Sequence, residues 1–77
     1  MSKVTIYTTP SCVYCKMAKD FFSKNSVEYE EKNVATDVVA RDLMIQKSGQ
    51  MGVPVIEVYG KIIIGFDQPR LKEALGF

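Results

Sequence analysis

The sequence predicts one α/β domain whose elements follow in the order β-α-β-α-β-β-α, forming a four-stranded mixed sheet with three helices. Short β-branched or aromatic runs alternate with segments whose apolar residues recur every three or four positions. A glycine-containing turn joins the last two apolar runs, which is typical of a hairpin. A chain of 77 residues has room for one core. We therefore expect residues 1–77 to form a single domain.

The first three elements are predicted between residues 3 and 32. Lys3–Thr8 is an alternating, β-branched run and predicts a strand that ends at the turn over residues 9–11. Val13 to about Asn25 has helical spacing, and Val27–Lys32 alternates apolar with charged residues, which predicts a half-exposed strand. The apolar face of this first helix comprises Val13, Met17, Ala18, Phe21 and Phe22.

A second helix is predicted from Asp37 to about Lys47. Thr36 is its expected N-cap, because a hydroxyl can accept a bond from the first free backbone N–H groups. Ser48-Gly49 supplies the residue type that ends a helix. Its apolar residues include Val38, Val39, Leu43, Met44 and Ile45.

The last three elements are a hairpin and a short helix. Val53–Tyr59 and Ile62–Gly65 predict two strands joined by the turn Gly60-Lys61. The final helix begins near Asp67 and places Leu71 and Leu75 one above the other. A right-handed crossover makes the first two strands parallel, so the first strand is expected inside the sheet, in the thioredoxin-type arrangement.

Large apolar side chains at these periodic positions predict the core. Phe66 lies beside the expected site and is expected to be half-exposed for a protein partner. The predicted core residues are Phe21, Phe22, Ile56, Ile62, Ile63 and Leu71.

Charge and hydropathy exclude several classes of partner. Ten basic and nine acidic residues are interspersed, which gives no single-sign field for nucleic acid or an anionic membrane. No stretch approaches the ~20 apolar residues of a membrane span. The start of the chain, Met1–Tyr7, lacks the apolar run of a secretory signal. We expect a cytoplasmic protein that binds neither nucleic acid nor membrane.

Cys12 and Cys15 are the only cysteines, and the sequence contains no histidine. Cys12 lies where the chain passes from a loop into the first helix, so its sulfur can face free backbone N–H groups and the positive end of the helix dipole. Cysteines in such C-x-x-C sites have their pKa lowered from ~8.5 to about 3.5–7.5. We therefore expect Cys12 to attack disulfides as a thiolate without a histidine base.

Cys15 lies one helical turn further on, close enough to form an unstrained disulfide with Cys12. The expected mechanism is attack by Cys12 on a substrate disulfide, followed by release of the mixed disulfide by Cys15. A structural zinc site would need two more ligands, which neither cysteine nor histidine supplies, so no metal is expected. A purely structural disulfide is the other alternative, and it is unusual in the cytosol.

Three segments together resemble glutaredoxins over nearly the whole chain. They are Tyr7–Lys16 (YTTPSCVYCK), Gly52-Val53-Pro54 and Gly65-Phe66-Asp67. Glutaredoxins carry C-P-Y-C or a variant, a T-V-P whose proline is cis, and a G-G-x-D near the start of the last helix. The resemblance implies the thioredoxin fold, thiol–disulfide oxidoreductase activity, glutathione as co-substrate and no tightly bound cofactor.

The same resemblance implies roles for residues around the two sulfurs. Pro54 would be the cis-proline facing them, and the Val53 backbone would pair with the substrate chain as an added strand. Tyr14 would contact the bound thiol, and Asp67 would bind the glutamyl amino group of glutathione. The expected substrate-binding residues are Tyr14, Val53, Pro54, Gly65, Phe66 and Asp67.

Two of the departures from the family pattern affect the residues that bind the glycine carboxylate of glutathione. Glutaredoxins commonly hold the glycine carboxylate of glutathione with a lysine three residues before the attacking cysteine and a basic residue two positions before the Val-Pro pair. This chain has Thr9 and Met51 there. Lys16 or Lys47 is expected to substitute in part, supporting the thiolate or the carboxylate.

The residues around Cys12 also resemble the small redoxins that donate electrons to ribonucleotide reductase and are recharged by thioredoxin reductase. Our leading hypothesis is a monomeric reductase of protein disulfides or glutathione mixed disulfides, with glutathione or thioredoxin reductase as electron source. The alternatives are such a donor to ribonucleotide reductase, and a [2Fe–2S] carrier in which two chains each supply Cys12 and glutathione thiols complete the site. An interaction module with incidental thiols is a third.

Overall fold

The computed structural model describes residues 4–76 and contains the predicted order of elements. Lys3, which the sequence places in the first strand, lies outside the described residues. The elements are β1 (Val4–Thr8), α1 (Val13–Lys24), β2 (Glu30–Asn33), α2 (Val38–Ser48), β3 (Val55–Val58), β4 (Lys61–Ile64) and α3 (Gln68–Leu75).

The four strands form one mixed sheet in the order β2-β1-β3-β4. β1 runs parallel to β2 and antiparallel to β3, with Tyr7 opposite both Lys32 and Val55. β4 pairs antiparallel with β3 and forms one edge. The prediction that β1 lies inside the sheet is therefore confirmed, and the chain leaves its carboxyl end toward the two cysteines.

Each face of the sheet carries its own core, because successive side chains of a strand point to opposite faces. Helices α1 and α3 cover one face and α2 covers the other. The core under α1 and α3 comprises Val4, Ile6, Ala18, Phe21, Phe22, Ile56, Val58, Ile63 and Leu71. The core under α2 comprises Tyr7, Val34, Ala40, Met44 and Val55.

Strand β2 begins at Glu30, three residues later than predicted. The chain is still turning out of α1 at this point: Ser26 has a φ of 56°, and the N–H of Val27 donates to Phe22 O at 2.8 Å. Val27 and Tyr29 pack against the core without joining the ladder. The alternation of apolar and charged residues from which the sequence predicts a strand here therefore reflects packing against the core.

The N-cap of α2 is Asp37, so the prediction of Thr36 is wrong. Asp37 Oδ1 accepts the N–H of Ala40 at 3.0 Å, whereas the Thr36 hydroxyl bonds back to Asn33 O at 3.4 Å. A carboxylate caps better because it also interacts favourably with the helix dipole. The predicted end of α2 is confirmed, with Gly49 as its C-cap at a φ of 74°.

The hairpin turn consists of Tyr59 and Gly60, one residue earlier than predicted. Both have positive φ, 48° and 84°, which is typical of the two-residue turns that match the twist of the strands. Glycine accepts such a φ without strain, but tyrosine does so at a cost.

Part of the predicted apolar face of α1 is exposed: 67% of Val13 and 43% of Met17 are accessible to solvent. The buried residues of this helix are Cys15, Ala18, Phe21 and Phe22. Helical geometry places Val13 and Met17 more than about 90° from the middle of this stripe. On α2, Val38, Val39 and Leu43 are likewise exposed. The predicted core residue Ile62 is half-buried and packs under α2.

Candidate active site

Cys12 is the N-cap of α1 and is half-buried. The loop after β1 closes on itself, since the Cys12 N–H donates to Thr9 O at 3.3 Å. Cys12 Sγ accepts the backbone N–H of Cys15 at 3.1 Å. The helix dipole and this hydrogen bond both favour a negative charge on a sulfur in this position. Cys12 Sγ thus lies at the start of the helix, where the sequence places it.

Cys15 is only 1% exposed and faces the interior, and both cysteines are free thiols. Burial raises the pKa of the Cys15 thiol to about 12, and its hydrogen bond to Cys12 acts in the same direction. The backbone N–H of Thr9 and the charge of Lys19 lower that pKa. The two cysteines, one turn apart, therefore differ in access, and burial holds Cys15 as the neutral thiol.

The loop before β3 lies next to this pair. The Val53–Pro54 peptide bond is cis, which is the geometry that the resemblance implies. The ladder between β1 and β3 pairs Tyr7 with Val55, and continuing it by one residue brings Pro54 beside Thr8, just before the cysteine loop. Pro54 is fully buried and Val53 is half-buried.

The residues after β4 are tied to the same loop. The N–H of Gly65 donates to Pro54 O at 2.8 Å, and the φ of Gly65 is +79°, which glycine adopts readily. Phe66 is half-buried and packs edge-on against Phe21, with 6.0 Å between ring centroids. Through Gly65, the start of α3 is held at the cis-proline loop.

Asp67 caps α3, because its Oδ1 accepts the N–H of Arg70 at 3.2 Å. Its Oδ2 also lies 3.6 Å from Arg70 Nε. The sequence predicts that the helix begins near Asp67 but not that Asp67 pairs with Arg70, because an i to i+3 contact depends on the side-chain conformation. The carboxylate that the resemblance assigns to glutathione thus also has a structural task.

Tyr14 and Lys16 lie in the first turn of α1 and are exposed, Tyr14 by 62%. Lys47 is placed differently from the other candidates. Its Nζ donates to Glu57 Oε1 at 2.6 Å on the α2 face of the sheet, and this bond raises the pKa of Lys47. The charge of Lys47 is therefore paired within the fold.

Three residues that sequence reasoning missed meet under α1. The Thr8 hydroxyl and Lys19 Nζ both donate to Glu31 Oε2, at 2.7 and 2.9 Å. These two bonds hold the pKa of Glu31 below its usual range. Thr8, Lys19 and Glu31, which we call the Glu31 cluster, come from β1, α1 and β2. The one sequence signal for this cluster is Thr8, a polar residue at the end of the mostly buried strand β1.

Within residues 4–76, no helix is long and apolar enough to cross a membrane. The same residues contain no group of three Cys, Asp or Glu side chains that could hold a metal ion. The chemistry-bearing feature of the described chain is the pair of cysteines.

Comparison with known proteins identifies the family. A family model described as Glutaredoxin matches residues 4–63. An uncharacterized glutaredoxin-like 8.6 kDa protein in the rubredoxin operon of Clostridium pasteurianum is 36% identical over 72 residues, which cover 94% of this chain and 96% of that protein. Glutaredoxin 3 of Escherichia coli strain K12 is 34% identical over 76 residues, which cover 99% of this chain and 92% of that protein.

Solved structures support the same conclusion. The crystal structure of the T8A mutant of the thioredoxin-like protein BC3987 matches with a TM-score of 0.92 and 30% identity, over 99% of this chain and 97% of that one. The glutaredoxin from Archaeoglobus fulgidus shares the fold, with a TM-score of 0.88, over 97% of this chain and 87% of that one, at 24% identity. The predicted thioredoxin fold is therefore confirmed, and the chain belongs to the glutaredoxin family.

Proposed function

We propose that this protein reduces protein disulfides or glutathione mixed disulfides, with Cys12 as the attacking thiolate and Cys15 as the resolving thiol. The family and the fold support a thiol–disulfide oxidoreductase in general terms. The observation that supports the two roles is the contrast within one helical turn. Cys12 is accessible and its sulfur accepts an N–H, whereas Cys15 is buried and its pKa is raised.

The reaction proceeds in two exchanges. The Cys12 thiolate attacks one sulfur of the substrate disulfide, forms a mixed disulfide, and releases the other substrate sulfur as a thiolate that takes up a proton. Cys15 then loses its proton to solvent and attacks Cys12 Sγ. This forms the Cys12–Cys15 disulfide and releases the second substrate thiol. Two electrons pass from the protein to the substrate, and a donor must return them.

Substrate binding is proposed for the loops that converge on Cys12. An extended substrate segment would pair with the backbone of Val53 next to Pro54, in the manner of strand addition. Tyr14, exposed beside Cys12, would form the rim, and Gly65 to Asp67 would bound the other side. This proposal includes a cytoplasmic location, where thiols are kept reduced.

The charged residues near the site favour a protein over glutathione as the electron donor. Thr9 and Met51 stand where glutathione carboxylates usually meet cations, and Lys47 is paired with Glu57. A lost charge-assisted hydrogen bond costs about 1.5–3 kcal/mol. Exposed Val13, Tyr14 and Met51 instead give an apolar rim. The second candidate function is therefore an electron donor to ribonucleotide reductase that thioredoxin reductase recharges.

Coupled turnover of a small disulfide tests both the mechanism and the donor. Consumption of NADPH is followed with glutathione plus glutathione reductase, and separately with thioredoxin reductase. We expect faster turnover with thioredoxin reductase. Cys12→Ser should abolish turnover with either donor, while Cys15→Ser should keep only a glutathione-dependent remnant. Undiminished turnover in Cys12→Ser would contradict the mechanism.

The same preparations test the cluster-carrier alternative. Two chains holding a [2Fe–2S] cluster through Cys12 would be coloured after anaerobic purification with iron and glutathione, and would elute as a dimer. We expect a colourless monomer. The cluster needs bound glutathione thiols, and Thr9 and Met51 stand where cations usually hold glutathione. A coloured dimer that loses its colour in Cys12→Ser would favour the carrier function instead.

A further inference from the structure

The Glu31 cluster joins three elements directly under the first helix. Glu31 stands opposite Ile6 in the parallel ladder, so its side chain lies on the face of the sheet that α1 covers. One oxygen, Oε2, accepts both the Thr8 hydroxyl and Lys19 Nζ. Thr8 is 2% exposed, so one side of this arrangement is buried. The two bonds hold the Lys19 side chain against the sheet, where a free lysine would extend into water.

Cys15 lies close to this cluster along the helix and along the loop after β1. Lys19 follows Cys15 by four residues on α1, and side chains at that spacing lie one above the other. The sulfur of Cys15 also faces the backbone N–H of Thr9, the residue next to Thr8. The groups that act on the Cys15 thiol are therefore Cys12, the Thr9 N–H and Lys19, and Lys19 is in turn paired with Glu31 and faces Tyr29.

The resolving step changes this balance. Once Cys12 is in a mixed disulfide its sulfur carries no charge, so its repulsion of a Cys15 thiolate disappears. Burial then remains as the main obstacle to ionisation of Cys15. The Thr9 N–H, which has the larger effect, and the Lys19 ammonium oppose it, and of the two only Lys19 acts through a side chain that a substitution can remove. Its hydrogen bond to Glu31 raises the pKa of Lys19, which keeps the amine protonated at neutral pH.

We propose that Lys19, held in place by Glu31, is a positioning residue that stabilises the Cys15 thiolate and so sets the rate at which the mixed disulfide is resolved. The inference rests on the proposed function, in which Cys15 is the resolving thiol. The step itself is the second exchange above: the Cys15 proton goes to solvent, the Cys15–Cys12 bond forms and the substrate sulfur leaves. Lys19 gives up no proton and forms no bond.

A stopped-flow reaction with dithiobis(nitrobenzoate) separates the two exchanges. Attack by Cys12 releases one coloured thiolate in a fast phase, and resolution by Cys15 releases the second in a slower phase. The variants are Lys19→Met, which removes the charge, Lys19→Arg, which keeps it, and the matched control Lys24→Met, which removes an exposed charge two turns from Cys15. Each is followed across the pH range.

We expect Lys19→Met to shift the pH midpoint of the second phase upward by up to about one unit, as for a thiolate that loses a nearby cation. Because a thiol becomes more nucleophilic as its pKa rises, the rate near neutral pH should fall by at most about threefold to fourfold. Lys19→Arg should retain the native midpoint. The first phase, and both phases of Lys24→Met, should be unchanged.

An unshifted second-phase profile in Lys19→Met overturns the inference, as does an equal shift in Lys24→Met. Failure of the proposed function is seen elsewhere in the same traces. A protein that releases a single thiolate, or whose second phase survives Cys15→Ser, does not use Cys15 for resolution. Two phases that depend on Cys12 and Cys15 but not on Lys19 keep the proposed function and remove only the role of Lys19.

Discussion

Raising the pH from about 8 to about 10 should destabilise the reduced protein through Cys15. The pKa of this thiol is about 12 in the folded state, against an ordinary value of 9.0. The stability gained by burying the neutral thiol is therefore complete below the ordinary value and is lost as pH rises from there toward the folded value. The unfolded chain ionises first and becomes favoured.

The size of the effect follows from linkage. At about pH 10 the unfolded thiol is about one unit above its pKa, which stabilises the unfolded state by about 1 kcal/mol, while the folded thiol is still protonated. At about pH 8 the corresponding effect is negligible. The Cys15→Ala variant lacks this group, so its stability should fall with pH by about 1 kcal/mol less than that of the native protein.

Urea unfolding under anaerobic reducing conditions measures the difference. Both proteins are unfolded at the two pH values, and circular dichroism gives each free energy of unfolding. Lysines and tyrosines titrate in both proteins and cancel in the comparison. Equal losses of stability in the native chain and in Cys15→Ala would refute the raised pKa, and with it the contrast on which the two roles rest.

Three further substitutions test the cap of α3 and the hairpin turn. Asp67→Asn keeps an N-cap but removes its charge, so it should raise the KM for glutathione mixed disulfides and cost only about 0.5 kcal/mol of stability. Asp67→Ala also removes the cap and should cost about 1 kcal/mol. Equal KM values in Asp67→Asn and the native protein would contradict a role in binding. Tyr59→Asn should stabilise the protein by about 1 kcal/mol, since asparagine tolerates the positive φ of the turn, and thermal unfolding checks this. A lower melting temperature would contradict it.

The sequence predicts the parts of this protein that local rules determine. Alternation and helical spacing give the seven elements in their correct order. The position of Cys12 at the start of α1 follows from a turn that leads directly into helical spacing. The predicted start of β2 is wrong because Val27 and Tyr29 alternate with polar residues in order to pack against the core, without being part of the strand ladder.

The Glu31 cluster and the pairing of Lys47 could not be predicted in this way. Thr8, Lys19 and Glu31 are far apart along the chain, and only the parallel ladder between β1 and β2 brings them together. Lys47 meets Glu57 because α2 packs over β3. Similarly, helical spacing alone places Val13 on the apolar face of α1. The packing of the residues from Cys15 to Phe22 against the sheet decides which side of the helix is buried, and Val13 lies outside it.

Trapping of the mixed disulfide tests the central claim most directly. Glutathione disulfide is added to Cys15→Ser and to Cys12→Ser, and mass spectrometry of the peptide spanning residues 4–16 locates the adduct. We expect rapid modification of Cys12 in the first variant, little modification of Cys15 in the second, and an internal disulfide without adduct in the native chain. Modification of Cys15 in Cys12→Ser as fast as that of Cys12 in Cys15→Ser would contradict the assigned roles.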